Sequence, residues 1–111
     1  MRPSRSGGSV AFVVATAPLV PPAAPTLSID DAFGHPRVLI TAYDPVAVTR
    51  KIYANYGGGG YNLVATISAV LTFWIDFTWA SPGATNLLYK ATDENTAGVS
   101  AYSNVVNDTG D

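Results

Sequence analysis

The chain has 111 residues, of which 48% are hydrophobic and 13% are charged, and its formal net charge is −2. A chain of this length fits one domain whose core needs no metal or disulfide. The small net charge, together with the lack of Lys and Arg clusters among aromatic residues, excludes nucleic acid from the expected partners. Cysteine is absent, which excludes disulfides and thiolate metal sites.

Residues 1–24 predict an extended N-terminal arm. The first nine are rich in Gly, Ser and Arg, residues 10–16 (VAFVVAT) are an apolar run typical of a strand, and residues 17–25 (APLVPPAAP) form a proline-rich spacer. The apolar run has no partner among the strands that follow, so we expect an edge strand of the same domain or of a second copy to accept it. The residues expected to make this protein contact are Val10, Phe12, Val13 and Val14.

The same N-terminus permits a second interpretation as a secretory signal peptide. Arg2 and Arg5 precede the short apolar run, and small residues follow it. Pro18 speaks against this interpretation, because it would come directly after the candidate cleavage site at residues 15–17. No apolar run reaches the roughly 18 residues that span a bilayer, so a membrane is not an expected partner.

From residue 25 onward, short apolar runs alternate with turn residues such as Gly, Pro, Asn and Asp. Seven runs at roughly ten-residue spacing, without a helical period, predict an antiparallel β-sandwich over residues 25–107 and a short tail at 108–111. The predicted strands are residues 25–33, 37–43, 48–56, 61–68, 71–79, 85–92 and 99–106.

Several short motifs occur in the order that is typical of one β-sandwich family. They are Pro-Ala-Ala-Pro-Thr-Leu (22–27), Lys-Ile-Tyr (51–53), Tyr-Asn-Leu-Val (61–64), Trp-Ile-Asp (74–76), Pro-Gly-Ala-Thr (82–85), Leu-Tyr-Lys (88–90) and Gly-Val-Ser-Ala-Tyr-Ser-Asn (98–104). In this order the chain resembles a fibronectin type III domain of the kind found in bacterial and bacteriophage proteins. The resemblance implies an all-β, seven-stranded antiparallel immunoglobulin-like sandwich.

The chain departs from the family pattern at three places. The position of the family's second-strand tryptophan falls on Ala42 or Tyr43. The position before the Ile-Tyr pair, which is usually aromatic in the family, is occupied by Arg50. The tyrosine of the sixth strand lines up with position 86 or 87, while Tyr89 lies further along. These departures affect strand register and leave the predicted topology unchanged.

The residues that carry out catalysis or bind metals are sparse. His35, the only histidine, lies between Gly and Pro in a predicted turn, and no nucleophile with a base can be assembled around it. The acidic pairs Asp30-Asp31 and Asp93-Glu94 are interpreted as solvated, the second within a turn over residues 93–98. The glycine run 57–60 lacks the Lys and the helix of a phosphate-binding loop and is interpreted as a hairpin. We therefore expect no enzyme, no metal and no cofactor.

The aromatic residues offer an alternative function. Six Tyr, four Phe and two Trp are present, and most are expected to fill the core. Tyr56 and Tyr61 flank the tip of the glycine hairpin and form a candidate ligand platform for glycans.

Residues 72–79, TFWIDFTW, have no evident polar face. In the family register Trp74 and Trp79 point to the core and Phe73, Ile75 and Phe77 point outward, whereas a slip of one residue reverses every side chain. The family register is preferred, and it leaves Phe73, Ile75 and Phe77 as an exposed patch of the kind that marks a protein contact.

Together, the arm and the outer patch predict a non-enzymatic structural protein. The most concrete expectation is a subunit or decoration protein of a bacteriophage virion, on the capsid surface or tail, that contacts other copies of itself, a capsid protein or a tail protein. The alternative is a secreted bacterial adhesion or glycan-binding module.

Overall fold

The computed structural model describes residues 18–81 and 86–108, and within them all regular structure is β-strand. No helix long and apolar enough to cross a membrane occurs in these two ranges. The strands are β1 (Thr26–Ala32), β2 (His35–Ala42), β3 (Thr49–Tyr56), β4 (Asn62–Ser68), β5 (Phe73–Ile75), β6 (Leu87–Asn95), β7 (Gly98–Val99) and β8 (Val106–Asp108).

The strands form two antiparallel sheets. The first sheet has the order β1-β2-β5, and the second has the order β4-β3-β6-β7, with β8 also paired to β6. The predicted all-β sandwich is confirmed, and the described residues contain eight strands instead of the seven predicted. The last strand, β8, ends at Asp108, one residue beyond the predicted boundary of the domain. The predicted arm contacts at Val10, Phe12, Val13 and Val14 lie outside the described residues.

Alternation along the strands places the core between the sheets. In β2, Val38 and Ile40 are buried while their neighbours are only partly covered, and β3 and β6 repeat this pattern with a period of two. Partly buried Ile29, Val64, Ile67 and Trp74 extend the core. The buried core residues are Leu27, Val38, Ile40, Ile52, Ala54, Leu87, Tyr89, Ala91 and Val106.

The predicted strand over residues 99–106 is two short strands, because side chains replace part of its ladder. Ser100 and Ser103 each donate a backbone N–H to β6 and accept a backbone N–H from β6 with the hydroxyl oxygen, at 2.8–2.9 Å. The amide of Asn104 binds both backbone groups of Leu27, at 2.8 and 2.9 Å. The segment between β7 and β8 thus joins the second sheet to the first.

The predicted loop over residues 93–98 is also wrong in part, because β6 continues to Asn95. Asp93 is fully buried and forms a bidentate ion pair with the equally buried Arg50, at 2.7 and 3.0 Å. Arg50 also donates to the carbonyl of Leu71 at 2.8 Å, and its guanidinium lies over the ring of Tyr43. Arg50, at a position that is usually aromatic in the family, is therefore neutralised by Asp93, a residue that was interpreted as solvated from the sequence.

Candidate functional site

The segment TFWIDFTW is a strand only over Phe73–Ile75, where it forms one edge of the first sheet. Trp74 lies opposite buried Val38, and its ring packs edge-on against Tyr89 with the centroids 6.3 Å apart. The structure therefore has Trp74 on the core side and Phe73 and Ile75 on the outer side, as in the family register.

Asp76 directly follows this strand and connects it to the core by hydrogen bonds. Its side chain is 1% exposed, and Oδ2 accepts hydrogen bonds from the hydroxyls of Tyr56 at 2.6 Å and Tyr89 at 2.7 Å. Oδ1 accepts from the backbone N–H of Thr78 at 3.0 Å, a local bond typical of a turn. We name Asp76, Tyr56 and Tyr89 the carboxylate–tyrosine centre; burial, reinforced by the hydrogen bonds to Asp76, raises the pKa of both tyrosines above the usual value.

The turn at Asp76 explains why Trp79 is not on the core side, where the family register had placed it. Because the chain leaves the strand, alternation is lost, and Trp79 is 37% exposed with its ring against Tyr56 at 5.2 Å between centroids. His35, which was placed in a predicted turn, belongs to the first sheet. It begins β2, its Nδ1 lies 2.7 Å from the carbonyl oxygen of Trp79, and its ring packs edge-on against Phe77.

The outer side of the first sheet carries a set of hydrophobic side chains, which we name the apolar face. Phe73 is 49% exposed and Phe77 is 66% exposed. Leu39 lies opposite Phe73 on β2 and Ile75 lies opposite Arg37, and both are partly exposed. The apolar face therefore consists of Leu39, Phe73, Ile75 and Phe77. We group with it Phe33, in the turn that joins β1 to β2, because the carbonyl of Gly34 in this turn accepts a hydrogen bond from the N–H of Ser81 in the segment after β5.

Phe33 adopts a backbone conformation that is unfavourable for its residue type. Its φ is +56°, next to Gly34 with φ +76°, and its side chain is 86% exposed. A left-handed conformation disfavours a side chain with a Cβ by roughly 1–2 kcal/mol, and an aromatic ring in water gains nothing in return. Neither local backbone preference nor core packing accounts for a phenylalanine at this position.

The charges that β1 and β2 place on this side of the sheet are those of Asp30 and Arg37. Arg37 forms a bidentate hydrogen-bonded pair with Asp30, at 2.8 and 2.6 Å, and its guanidinium lies 5.7 Å from the centroid of Phe73. The pairing lowers the pKa of Asp30 and raises that of Arg37. Arg37 therefore screens one side of Phe73 and leaves the side facing the edge open.

The edge strand β5 lacks the usual protection against pairing. Trp74 lies opposite Val38, Thr72 accepts from the N–H of Ile40, and Asp76 donates to the carbonyl of Pro36. Antiparallel alternation therefore directs the backbone groups of Phe73 and Ile75 away from β2. Natural edge strands carry charges or prolines, whereas the only charged residue in 71–79 is the buried Asp76.

Tyr56 and Tyr61 do not form the predicted ligand platform together. Tyr56 is directed to Asp76, beneath the surface. The glycine run between the two tyrosines is a turn in which Gly57, Gly58 and Gly60 have positive φ and Asn55 Oδ1 accepts two of their N–H groups. Tyr61 instead lies over Lys90 on the outer side of the second sheet.

No group of three or more His, Asp or Glu side chains suited to a metal ion occurs in residues 18–81 and 86–108. The sequence did not reveal the two buried polar centres, which are the Arg50–Asp93 ion pair and the carboxylate–tyrosine centre. The only sequence signal at Asp76 was its place in the Trp-Ile-Asp motif, which does not indicate its tyrosine partners. Arg50 and Asp93 are 43 residues apart in the chain, so their spacing does not indicate that they pair.

Comparison with known proteins gives similarity in fold alone. No protein-family model matches the chain, and no curated protein matches it. An Fn3-like protein from Clostridium thermocellum superposes with a TM-score of 0.57 at 18% identity, over 79% of this chain and 88% of that one. A β-1,2-glucanase from Parabacteroides distasonis superposes with a TM-score of 0.63 at 20% identity, over 78% of this chain. The match covers 12% of the glucanase, so this chain corresponds to a small part of that protein. The fold is a fibronectin type III-like β-sandwich.

Proposed function

We propose that the chain is a non-enzymatic structural protein that works as a subunit of a larger assembly, with the apolar face as a protein contact. The observation that carries the proposal is the exposure of Phe73 and Phe77 in and after the edge strand β5, which no other described strand covers, together with exposed Phe33 in the turn that is hydrogen-bonded to the segment after β5. A contiguous apolar patch of this kind marks a contact surface more often than a single exposed residue does.

The energetics favour covering this face. Fully burying one phenylalanine side chain contributes about 1.5–3 kcal/mol, so three partly exposed rings offer a substantial driving force. The backbone groups of Phe73 and Ile75 offer hydrogen bonds to an added strand in the same region. A partner with an extended apolar segment would satisfy both the rings and the edge.

The proposed partner is another copy of the chain, with a capsid or tail protein as a second partner. The arm sequence VAFVVAT supplies an apolar, β-branched segment of the kind that adds to an edge strand. The assembly we propose is a bacteriophage virion, on its capsid surface or tail, and the support for this choice is the family resemblance of the sequence and the arm.

The test is the mass of the protein in solution, measured by light scattering over a range of concentrations. We expect the full chain to self-associate, and we expect less association in a form that begins at Pro18 and in the variant F33S/F73T/F77T. Val99→Thr is the matched control, because Val99 is exposed on the second sheet. A monomer at every concentration, for both the full chain and the shortened form, would contradict the proposal.

A further inference from the structure

Four side chains meet on the outer side of the second sheet, and we name them the tyrosine–lysine cluster: Tyr53, Tyr61, Lys90 and Tyr102. The ammonium of Lys90 lies 3.7 Å from the ring centroid of Tyr102 and 4.2 Å from that of Tyr61. Tyr53, which is opposite Lys90 in the ladder, packs edge-on against Tyr102 with the centroids 5.6 Å apart. The rings come from three neighbouring chain segments and surround one cation.

No carboxylate in residues 18–81 and 86–108 pairs with the cation of this cluster. Within the described ranges, the ion pairs are Arg37–Asp30, Arg50–Asp93 and Lys51–Glu94, and none includes Lys90. The neighbours of Lys90 on the same face of β6, Leu88 and Thr92, are uncharged. Lys51, on the same face of β3, is paired with Glu94, so the cluster presents a positive charge that has aromatic rings around it and no paired acid among the described residues.

The tyrosines are also available for contact. Tyr102 is 52% exposed, and none of the three hydroxyl groups forms a hydrogen bond with another described residue. Each hydroxyl is both a donor and an acceptor, and each ring offers an apolar surface for stacking. Such a combination suits a ligand that has both hydroxyl groups and C–H faces.

We propose that the tyrosine–lysine cluster binds a carboxylated polysaccharide. The rings of Tyr102 and Tyr61 stack on the C–H faces of the sugar units, and the free tyrosine hydroxyls exchange hydrogen bonds with sugar hydroxyls. The ammonium of Lys90 binds a sugar carboxylate through a charge-assisted hydrogen bond.

The topology favours a saccharide over an acidic peptide at this place. β3 and β6 are paired on both sides, and the free edge of this sheet is β4, two strands from Lys90, so a peptide that adds to that edge does not pass over the ammonium. The ring centroids of Tyr61 and Tyr102 lie 4.2 and 3.7 Å from the Lys90 ammonium, so the cluster is compact and offers contact to a short stretch of a sugar chain. The inference goes beyond the proposed function and does not rest on it, because the apolar face lies on the other sheet.

The test is titration calorimetry of the full chain with hexamers of galacturonate, mannuronate, guluronate and a glucuronate-containing glycan. We expect at least one hexamer to bind, and its methyl ester to bind at least about fivefold more weakly because the charge is removed. Tyr102→Ala should weaken binding about tenfold. Lys90→Met keeps the side-chain stem and should abolish the difference between the acid and its ester.

Three results would overturn the inference. The first is the absence of binding by all four hexamers, and the second is binding that Tyr102→Ala and Lys90→Met leave unchanged. The third is binding of a glutamate hexamer with the same affinity and the same dependence on the two variants, which would assign the cluster to an acidic peptide. Val99→Thr and F33S/F73T/F77T are the controls, and we expect both to bind the saccharide as the natural chain does.

Discussion

The two outer faces of the sandwich differ in how they treat their aromatic residues. On the second sheet, the tyrosines surround Lys90 and have polar groups that water satisfies. On the first sheet, phenylalanines with no polar atoms are exposed beside an open strand edge, and one of them is held in a left-handed conformation. The second face is therefore stable in water as it stands, whereas the first gains by being covered.

The interior differs beneath the two faces as well. The second sheet contains the Arg50–Asp93 ion pair near one end, and the carboxylate–tyrosine centre joins β5 of the first sheet to β3 and β6 near the other end. We therefore expect the position of the apolar face to depend on Asp76 and the second sheet to depend on Arg50.

The largest expected effect is the loss of one partner of the buried ion pair. Arg50→Met should lower the free energy of unfolding by about 3–5 kcal/mol, because Asp93 is left buried without a positive charge. Urea unfolding measures the change. The double variant R50M/D93L should recover most of the lost stability, and if it is as unstable as the single variant, the ion pair is not the cause.

Removing the carboxylate of the other centre should have a slightly smaller effect. Asp76→Ala should destabilise the protein by about 2–4 kcal/mol, because two tyrosine hydroxyls lose their acceptor in a buried position. Tyr56→Phe removes one donor only and should cost about 1 kcal/mol. Equal effects of the two substitutions in urea unfolding would show that Asp76 does not connect the two tyrosines.

The raised pKa values of Tyr56 and Tyr89 predict a loss of stability in alkali. Each folded-state pKa is above the unfolded value of about 10, so the stabilisation is complete below that pH and decreases as the pH rises above it. Urea unfolding at a series of pH values should show this slope in the natural chain and a smaller one in Y56F/Y89F. Identical slopes would contradict the assignment.

Asparagine substitutions on the two faces should change the stability by small amounts in opposite directions. Phe33→Asn should raise the free energy of unfolding of the isolated protein by up to about 1 kcal/mol, because Asn tolerates a positive φ. Tyr102→Asn on the second sheet should lower it, because the contacts with Tyr53 and Lys90 are lost. A loss of stability in Phe33→Asn would mean that the ring already packs within its own chain.

The strand pattern made the sandwich predictable, because alternation over β2, β3 and β6 and the turn residues between strands are local signals. The orientation of Trp74 also followed from the order of motifs. The end of β5 did not, since it depends on Asp76 meeting two tyrosines from distant strands.

Polar side chains account for the other differences. The hydroxyl oxygens of Ser100 and Ser103 accept backbone N–H groups of β6 in place of strand carbonyls. The pattern of apolar residues does not indicate such side-chain hydrogen bonds. For the sites, the exposed phenylalanines were visible as a surplus of apolar residues, whereas Phe33 was assigned to a strand because its positive φ is atypical of its residue type. The tyrosine–lysine cluster unites residues from four segments, so spacing along the chain could not reveal it.

In the assembly that we propose, the apolar face and the edge of β5 are covered by a neighbouring chain. Hydrogen exchange at the amides of Phe73 and Ile75, measured for the full chain over a hundredfold range of concentration, tests it most directly. We predict that these two amides become protected as the concentration rises, while the amide of Val105, in the exposed segment before β8, keeps its rate. Exchange of Phe73 and Ile75 that is fast at every concentration would contradict the account.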